Sequence, residues 1–578
     1  MKLFSKNDSA LIPRARLRRA DLAVFTNLPR AYKSPDRRLQ EPAQLEARLS
    51  GLADQPQRLL DDARHLLIGY NLQRLRPEQR ERLARQILQT VYPVIARIHD
   101  KYQGKSSSLP EGAERREGLT AAIGVVEQLG IAWKHLYRET WSREKRRYRK
   151  QRDAIYRHAV RTLEMLLLEQ RLRALRYQKL PRSAWVDINH VFFAQVLHDD
   201  IDTPETLTGS VGLRRRSGKA SQPSMSLRRL YLSLQLFGVL DVSSWPTTLF
   251  VVPDAYLDAL ENGIRLRTDP GGELPAGSLI TWLNHDGPPR FERPEKLDEP
   301  ALLLDYTELH NRLVQDYEAI AQMKFLDAFD ERRISTPLRR VEPDERIPVL
   351  QMMLDALRKR ERRTRRHAVV AENRVPVWFG LGEVVALLTE RASPELRQQL
   401  RSRALRDHMA RMSRLAIGEA RRERESLWQL VNFSAGGILI SALEGEFGQS
   451  VSLGQLVAFR PSGEASEPAV GFVCRLNRPQ DRLVEVGITR LATSAGMAIL
   501  DVPGGTGGDF RLPAILLHDL AGDWQILCEP DDRLQPGLPV KLVHDGGTAP
   551  ARLGEFRLSK KEFCLYALRS PALQRKAG

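Results

Sequence analysis

The chain has 578 residues, 42% hydrophobic and 28% charged, a soluble globular composition that excludes a disordered chain and, at this length, a single ordinary core. Its 90 lysines and arginines against 72 aspartates and glutamates leave a formal charge of +18, which points to an anionic partner: nucleic acid, nucleotide, anionic lipid or acidic protein. No apolar run approaches the roughly 20 residues that cross a bilayer, and the N-terminal MKLFSKNDSALIPRARLRRA lacks the apolar core of a signal peptide, so a cytoplasmic protein with no membrane span is expected.

The three cysteines, Cys474, Cys528 and Cys564, are widely spaced and odd in number, which suits a reducing compartment and gives neither a zinc nor a disulfide pattern. Residues 1–40 are read as a flexible N-terminus. Residues 41–182 are helical in pattern and form a first domain. Pro77 stands where a helix begins, and Leu83, Ile87, Val91, Ile95 and Ile98 follow along one face. A second helical stretch runs from about Gly118 to Leu180, with Ile155, Ala159, Leu163 and Leu166 at helical spacing, and Pro181 stops it. Its basic middle, SREKRRYRKQRD, reads as a solvated face or as a contact to an acidic partner.

Residues 183–335 are mixed. They hold the apolar Val191 to Leu197, a polar linker LRRRSGKASQPS, the helical LRRLYLSLQLFGVL, and two strand-like runs, TTLFVV and SLITWL. His190, His198, Asp199 and Asp200 lie close in sequence but match no metal-ligand spacing, so no metal is assigned. Residues 299–327 return to helix, a linker follows near Arg333 to Pro348, and IPVLQMMLDALRKR makes a short amphipathic helix. That helix runs into Arg362 and Arg366, four apart, and then Arg374 to Phe379, a first strand.

From there to Arg424 the pattern is helical, with Leu405, Met409, Met412 and Ala416 on one face. Arg397 and Arg401 repeat the R-x-x-x-R spacing in mid-helix with no strand after them. WQLVNF, GILIS, GQLVAFR, AVGFVCRL and RLVEVGITRL then read as short strands, enough for a small antiparallel barrel over 345–503 with a helical insertion at 383–425. PGGTGGD at 503–509 reads as a linker, because neither the Lys-Ser/Thr nor the helix of a phosphate-binding loop follows it. A second strand set, RLPAILLH, WQILCEP, LPVKLVH, ARLGEFRL and EFCLYAL, makes 509–578 a β-rich C-terminal domain. The expected class is therefore multidomain α+β: a large, mainly helical N-terminal region, a barrel, and a small β domain.

Within the first strand set, Asn432-Phe433-Ser434-Ala435-Gly436-Gly437 is a polar turn between apolar flanks, open either to anion binding or to a plain hairpin role. An R-x-x-x-R pair at Arg362 and Arg366, a strand, then N-x-S-x-x-G at a strand turn and further barrel strands resembles the PilZ family of cyclic di-GMP receptors, over about Arg362 to Pro503. Residues 1 to 335 carry no recognised family resemblance. The resemblance implies that Arg362 and Arg366 grip the dinucleotide, that Asn432 and Ser434 contact guanine and phosphate, and that Gly436 and Gly437 keep the turn open. The chemistry fits: a guanine presents N7 and O6 as paired acceptors, which an arginine fork engages bidentately or covers by stacking. Asn432 stands where the family commonly has Asp, and an amide exchanges one carboxylate acceptor for a donor.

The resulting expectation is a cytoplasmic cyclic di-GMP receptor with no cofactor, whose ligand changes a contact with an unidentified protein partner of the helical region. Two alternatives stay open: a PilZ-like scaffold that has lost its ligand, and a basic nucleic-acid-binding protein. Nucleic acid is the weaker of these, because the charge is scattered and no RNP, KH or zinc-finger pattern occurs. An enzyme is not expected, since no nucleophile elbow, HExxH, Walker or kinase motif is found.

Overall fold

The computed structural model describes residues 25, 28–33, 42–52, 54–104, 108–143, 148–196, 201–207, 224–260, 263–269, 271–325, 334–339, 341–358, 367–368, 373–402, 405, 408–409, 426–460, 467–492, 494–503, 510–519, 521–531, 533–560 and 562–574. The chain forms two compact units, one of residues 1–106 with 112–360 and one of residues 107–111 with 361–578. Among the described residues no helix is long and apolar enough to cross a membrane.

The first unit is helical: α1 (Pro42–Ser50), α2 (Pro56–Asn71), α3 (Pro77–Gln103), α4 (Ala113–Arg143), α5 (Tyr148–Ala174), α6 (Arg182–Val196), α7 (Leu227–Val239), α8 (Val251–Ala259), α9 (Thr307–Phe325) and α10 (Pro343–Ala356). Pro77 opens α3, where its missing N–H costs nothing, and Leu83, Ile87, Val91 and Ile95 are all buried, with Ile98 at the margin. The stretch read as one helix from 118 to 180 is two, α4 and α5, packed on each other. Ser226 caps α7, its hydroxyl accepting the Arg229 N–H at 3.2 Å. A three-stranded antiparallel sheet (Arg265–Thr268, Ala301–Asp305, Ser278–Trp282) completes the unit.

SLITWL is indeed strand there, but TTLFVV is helical: a short 3-10 turn at Thr247–Leu249 leads into α8, whose first turn takes Pro253. Five or six apolar residues fit a buried helix as well as a buried strand, and the proline belongs to a helix start. His190 is buried on α6 with Nε2 at 2.8 Å from Asn284 Oδ1, a packing role; His198, Asp199 and Asp200 lie outside the described residues.

The second unit holds two closed six-stranded antiparallel barrels. Its strands are β1 (Ser108–Leu109), β2 (His367–Ala368), β3 (Arg374–Phe379), β4 (Ser426–Ser434), β5 (Gly437–Leu443), β6 (Val451–Ser452), β7 (Leu456–Phe459), β8 (Ala469–Asn477), β9 (Leu483–Arg490), β10 (Ser494–Val502), β11 (Phe510–His518), β12 (Trp524–Cys528), β13 (Pro539–His544), β14 (Gly547–Ser559) and β15 (Cys564–Arg569). The first barrel runs β5-β9-β8-β7-β3-β4 and closes by β4 on β5, with β2 added along β4. The second runs β10-β11-β12-β15-β14-β13 and closes by β13 on β10. The strand before the glycine-rich run, β10, pairs along its whole length with the strand after it, β11, so that run joins neighbouring strands of one barrel instead of linking two domains.

Alternation sorts the first barrel. Trp428, Leu430, Ile440, Val473, Val486 and Ile488 are buried and fill its interior. On part of its outer face, Trp378, Leu456, Ala458 and Val470 join a second core with α11 (Leu381–Arg391), α12 (Pro394–Leu400) and the second barrel's Met497, Ile499 and Ile515. These helices lie between β3 and β4 in sequence, where a helical insertion is expected. Leu405 joins the same core and Met409 packs against it, while Met412 and Ala416 lie outside the described residues.

The second unit also takes in a strand from far upstream. β1 pairs antiparallel with β6, Ser108 opposite Ser452 and Leu109 opposite Val451. Behind it the fully buried Arg478 donates to Glu111 at 2.7 Å and to Glu444 at 2.8 Å, and the Glu111 N–H donates to Glu444 at 2.6 Å. Removing the Arg478 guanidinium would take from two buried carboxylates the cation they share. Arg478→Met is therefore expected to destabilise the second unit by about 3–5 kcal/mol in denaturant unfolding. Adding Glu111→Gln and Glu444→Gln should recover part of that loss.

In the first unit, burial and then Arg80 and Arg138 hold His135 down at about 3, and burial and then Arg290 hold His285 down at about 4, against an ordinary 6.5. Both are neutral in the fold and gain a proton on unfolding. Stability is thus complete above about pH 6.5 and falls as pH drops toward 4, by up to about 1.4 kcal/mol per pH unit for each histidine. Denaturant unfolding at pH 7.5 and pH 5 should show the loss, and His285→Gln should make it shallower.

Candidate functional site

The N-x-S-x-x-G stretch is the β4–β5 hairpin, with Ala435 and Gly436 at its tip and Ser434 paired to Gly437. The Ser434 hydroxyl donates to the Gly437 carbonyl at 3.4 Å, and the Arg490 N–H donates to the Gly436 carbonyl at 2.9 Å, tying the tip to β9. The Arg490 guanidinium is half-buried and donates to the Ala492 carbonyl at 2.8 Å.

The register slips once along this hairpin. Ile440 pairs with Leu430 but Leu439 pairs with Asn432, leaving Val431 as an extra residue in β4. Strict alternation from the buried Trp428 and Leu430 would turn Asn432 into the barrel. The bulge turns Asn432 and Ser434 outward instead, which is the usual effect of an extra residue in one strand of a pair.

Gly437 has a different part from the one the motif implies. A Cβ there would lie 2.1 Å from the Ile488 carbonyl oxygen, so the bare backbone is required by β9, the neighbouring strand, and not only by a ligand. Gly436, at the tip, has nothing within 4 Å of the place a Cβ would take.

Arg362 and Arg366 lie outside the described residues. The residue after Arg366 does not. His367 pairs with Phe433 and Ala368 with Asn432, the His367 and Phe433 rings stacked at 5.4 Å. The chain then rejoins β4 lower down, with Arg374 opposite Gln429 and the Leu430 N–H donating to the Asn373 carbonyl at 2.8 Å. One edge of β4 thus receives β2 beside the motif and β3 beside the core.

The helices of the insertion stand clear of this edge. The buried residues of α11 and α12 pack on β3, β7 and the second barrel, in a core that contains no residue of β4 or β5. Arg397 lies on α12 and Arg401 follows its end.

Sequence reasoning missed His367 and Phe433 as partners, and it missed the bulge. The signal for the bulge was present: WQLV breaks its own alternation where Leu430 and Val431 stand together.

Residues 44–268 match a family model described as "Cyclic-di-GMP receptor FimW, N-terminal domain". Apart from residues 107–111, the matched range lies in the first unit, on its helical region, and it makes that part of the chain similar to a cyclic di-GMP receptor. No curated protein and no solved structure matches the chain.

The two glycines separate in a direct test. Gly437→Val should cost about 3 kcal/mol in denaturant unfolding, because the β9 backbone must give way. Gly436→Ala should stay within about 0.5 kcal/mol of the parent.

Proposed function

We propose that the protein is a cyclic di-GMP receptor whose ligand lies on the outer face of the first barrel, a barrel of PilZ type, held between Arg362 and Arg366 on one side and Asn432 and Ser434 on the other. The observation that carries this reading is the pairing of β2 with β4, which fixes the residue after Arg366 against Phe433, inside the motif. A second line is independent of it: the match to a cyclic di-GMP receptor model falls in another part of the chain.

The two arginines offer planar forks for the Hoogsteen edges of the guanines and positive charge for the two phosphates. Asn432 presents an amide to a guanine edge, and Ser434 a hydroxyl to a base or a phosphate oxygen. Gly436 leaves the hairpin tip bare for close approach. None of these groups is asked to make or break a bond, so the protein acts as a receptor and not as an enzyme.

The arginine run straddles the sequence boundary between the two units, which falls after residue 360. Ordering that run on the ligand through charge-assisted bonds is the proposed switch, and a changed contact with a protein partner of the helical region is its output, in the cytoplasm.

Calorimetric titration of the full chain with cyclic di-GMP tests the reading. Saturable binding is expected, weakened at least about tenfold by Arg366→Ala and by Asn432→Ala. Absence of binding would leave a scaffold that has lost its ligand. Unchanged affinity in both variants would move the site elsewhere.

A further inference from the structure

A second bulge lies across the barrel from the first. Val473 pairs with Ile488 but Arg475 pairs with Gly487, leaving Cys474 as the extra residue in β8. Val473 and Leu476 both point into the core, so strict alternation from Val473 would send Arg475 inward as well. The bulge turns it outward, as the bulge at Val431 does for Asn432.

The two bulges complete one row. Reading across β4, β5, β9 and β8, Asn432 pairs with Leu439, Leu439 with Gly487, and Gly487 with Arg475. The next outward row is Ser434, Gly437, Thr489 and Phe472, and Lys560 places its amine 5.3 Å from the Phe472 ring centre. The middle of the surface is therefore two glycines set diagonally, with Leu439 and Thr489 in the other two places, polar side chains on β4 at one side and cations at the other. Three strand spacings separate Asn432 from Arg475, about 14 Å. Among the described residues, the outer face of β3 and β7 is covered by the core with α11, α12 and the second barrel.

We propose that Arg475 is a further ligand-binding residue, the far wall of the cyclic di-GMP site, with Thr489 on the floor beside it. This rests on the receptor reading above. Asn432 and Ser434 meet one half of a molecule that has two guanines and two phosphates; the half that extends over Gly437 and Gly487 meets the Arg475 guanidinium, which takes a phosphate or the second guanine edge. A glycine floor suits this task, because a flat base can lie against bare backbone where a side chain would lift it. Gly487 is confined from its side as well, since a Cβ there would come within 3.1 Å of the Cβ of its cross-strand partner Arg475.

The experiment titrates cyclic di-GMP into the full chain and its Asn432→Ala, Arg475→Met, Arg475→Lys and Thr489→Val variants, with thermal unfolding of each. The proposal expects Arg475→Met to weaken binding about tenfold or more at an unchanged unfolding midpoint, and Arg475→Lys to recover part of the loss by keeping the charge. Parent-like affinity in Arg475→Met, with Asn432→Ala impaired, overturns the role of Arg475 and leaves the receptor reading intact. A parent chain that binds no cyclic di-GMP overturns that reading and this proposal with it. Where Arg475→Met lowers the unfolding midpoint, Thr489→Val decides, since it keeps shape and removes only a hydroxyl: weaker binding supports the far wall and parent-like binding overturns it.

Discussion

The organisation of the second unit depends on what β4 pairs with along one edge. Near the motif it takes β2, and near the core it takes β3, although the chain between β3 and β4 runs through two helices. Loop closure makes this tolerable: each doubling of loop length costs only about 0.6 kcal/mol, so the insertion weakens the pairing little. The register is held from inside. A slip of one residue would expose Trp428 and Leu430 together and bury Gln429 between them. With the core register fixed, His367 pairs with Phe433 and Ala368 with Asn432.

The first barrel divides its two faces differently along its circumference. Inside, alternating apolar residues pack a continuous core. Outside, β3 and β7 give their surface to helices and to the second barrel, while β4, β5 and β9 present a mixed surface in which Asn432, Ser434, Gly437, Gly487 and Thr489 lie beside outward leucines. The two bulges allow this. Each interrupts a ladder and leaves a residue unpaired, and each returns a polar side chain to the outer surface at a point where the core would otherwise take it. Gly437 shows how closely folding and site requirements coincide: the same missing side chain that a ligand could use is already demanded by the Ile488 carbonyl.

Much of this was legible in the sequence. The strands of both sets stand where apolar runs and turn residues set them, and α3 buries the face that its period of Leu83, Ile87, Val91 and Ile95 announces. The misreadings have specific causes. TTLFVV is too short for periodicity to choose between helix and strand, and its neighbour Pro253 carried the answer. The glycine-rich run at 503–509 resembled a linker because β10, rich in small residues at its start, gives a weak strand signal. The pairing of β2 with β4 could not be read at all, since two residues carry no period. The bulges leave only a local trace, two apolar residues adjacent or three apart, that gains meaning once the register is known. Nothing in composition hinted that Glu111 would complete a buried ion cluster with Arg478, more than three hundred residues later, because that contact is made by topology alone.

The central claim is that the dinucleotide is held on the barrel and not in the helical region that matches the receptor family. Hydrogen-exchange mass spectrometry of the full chain, with and without cyclic di-GMP, tests it most directly. Slowed exchange is predicted in peptides covering 361–368, 432–439 and 487–490. Protection confined to residues 44–268, with none on the hairpin or the arginine run, would contradict it.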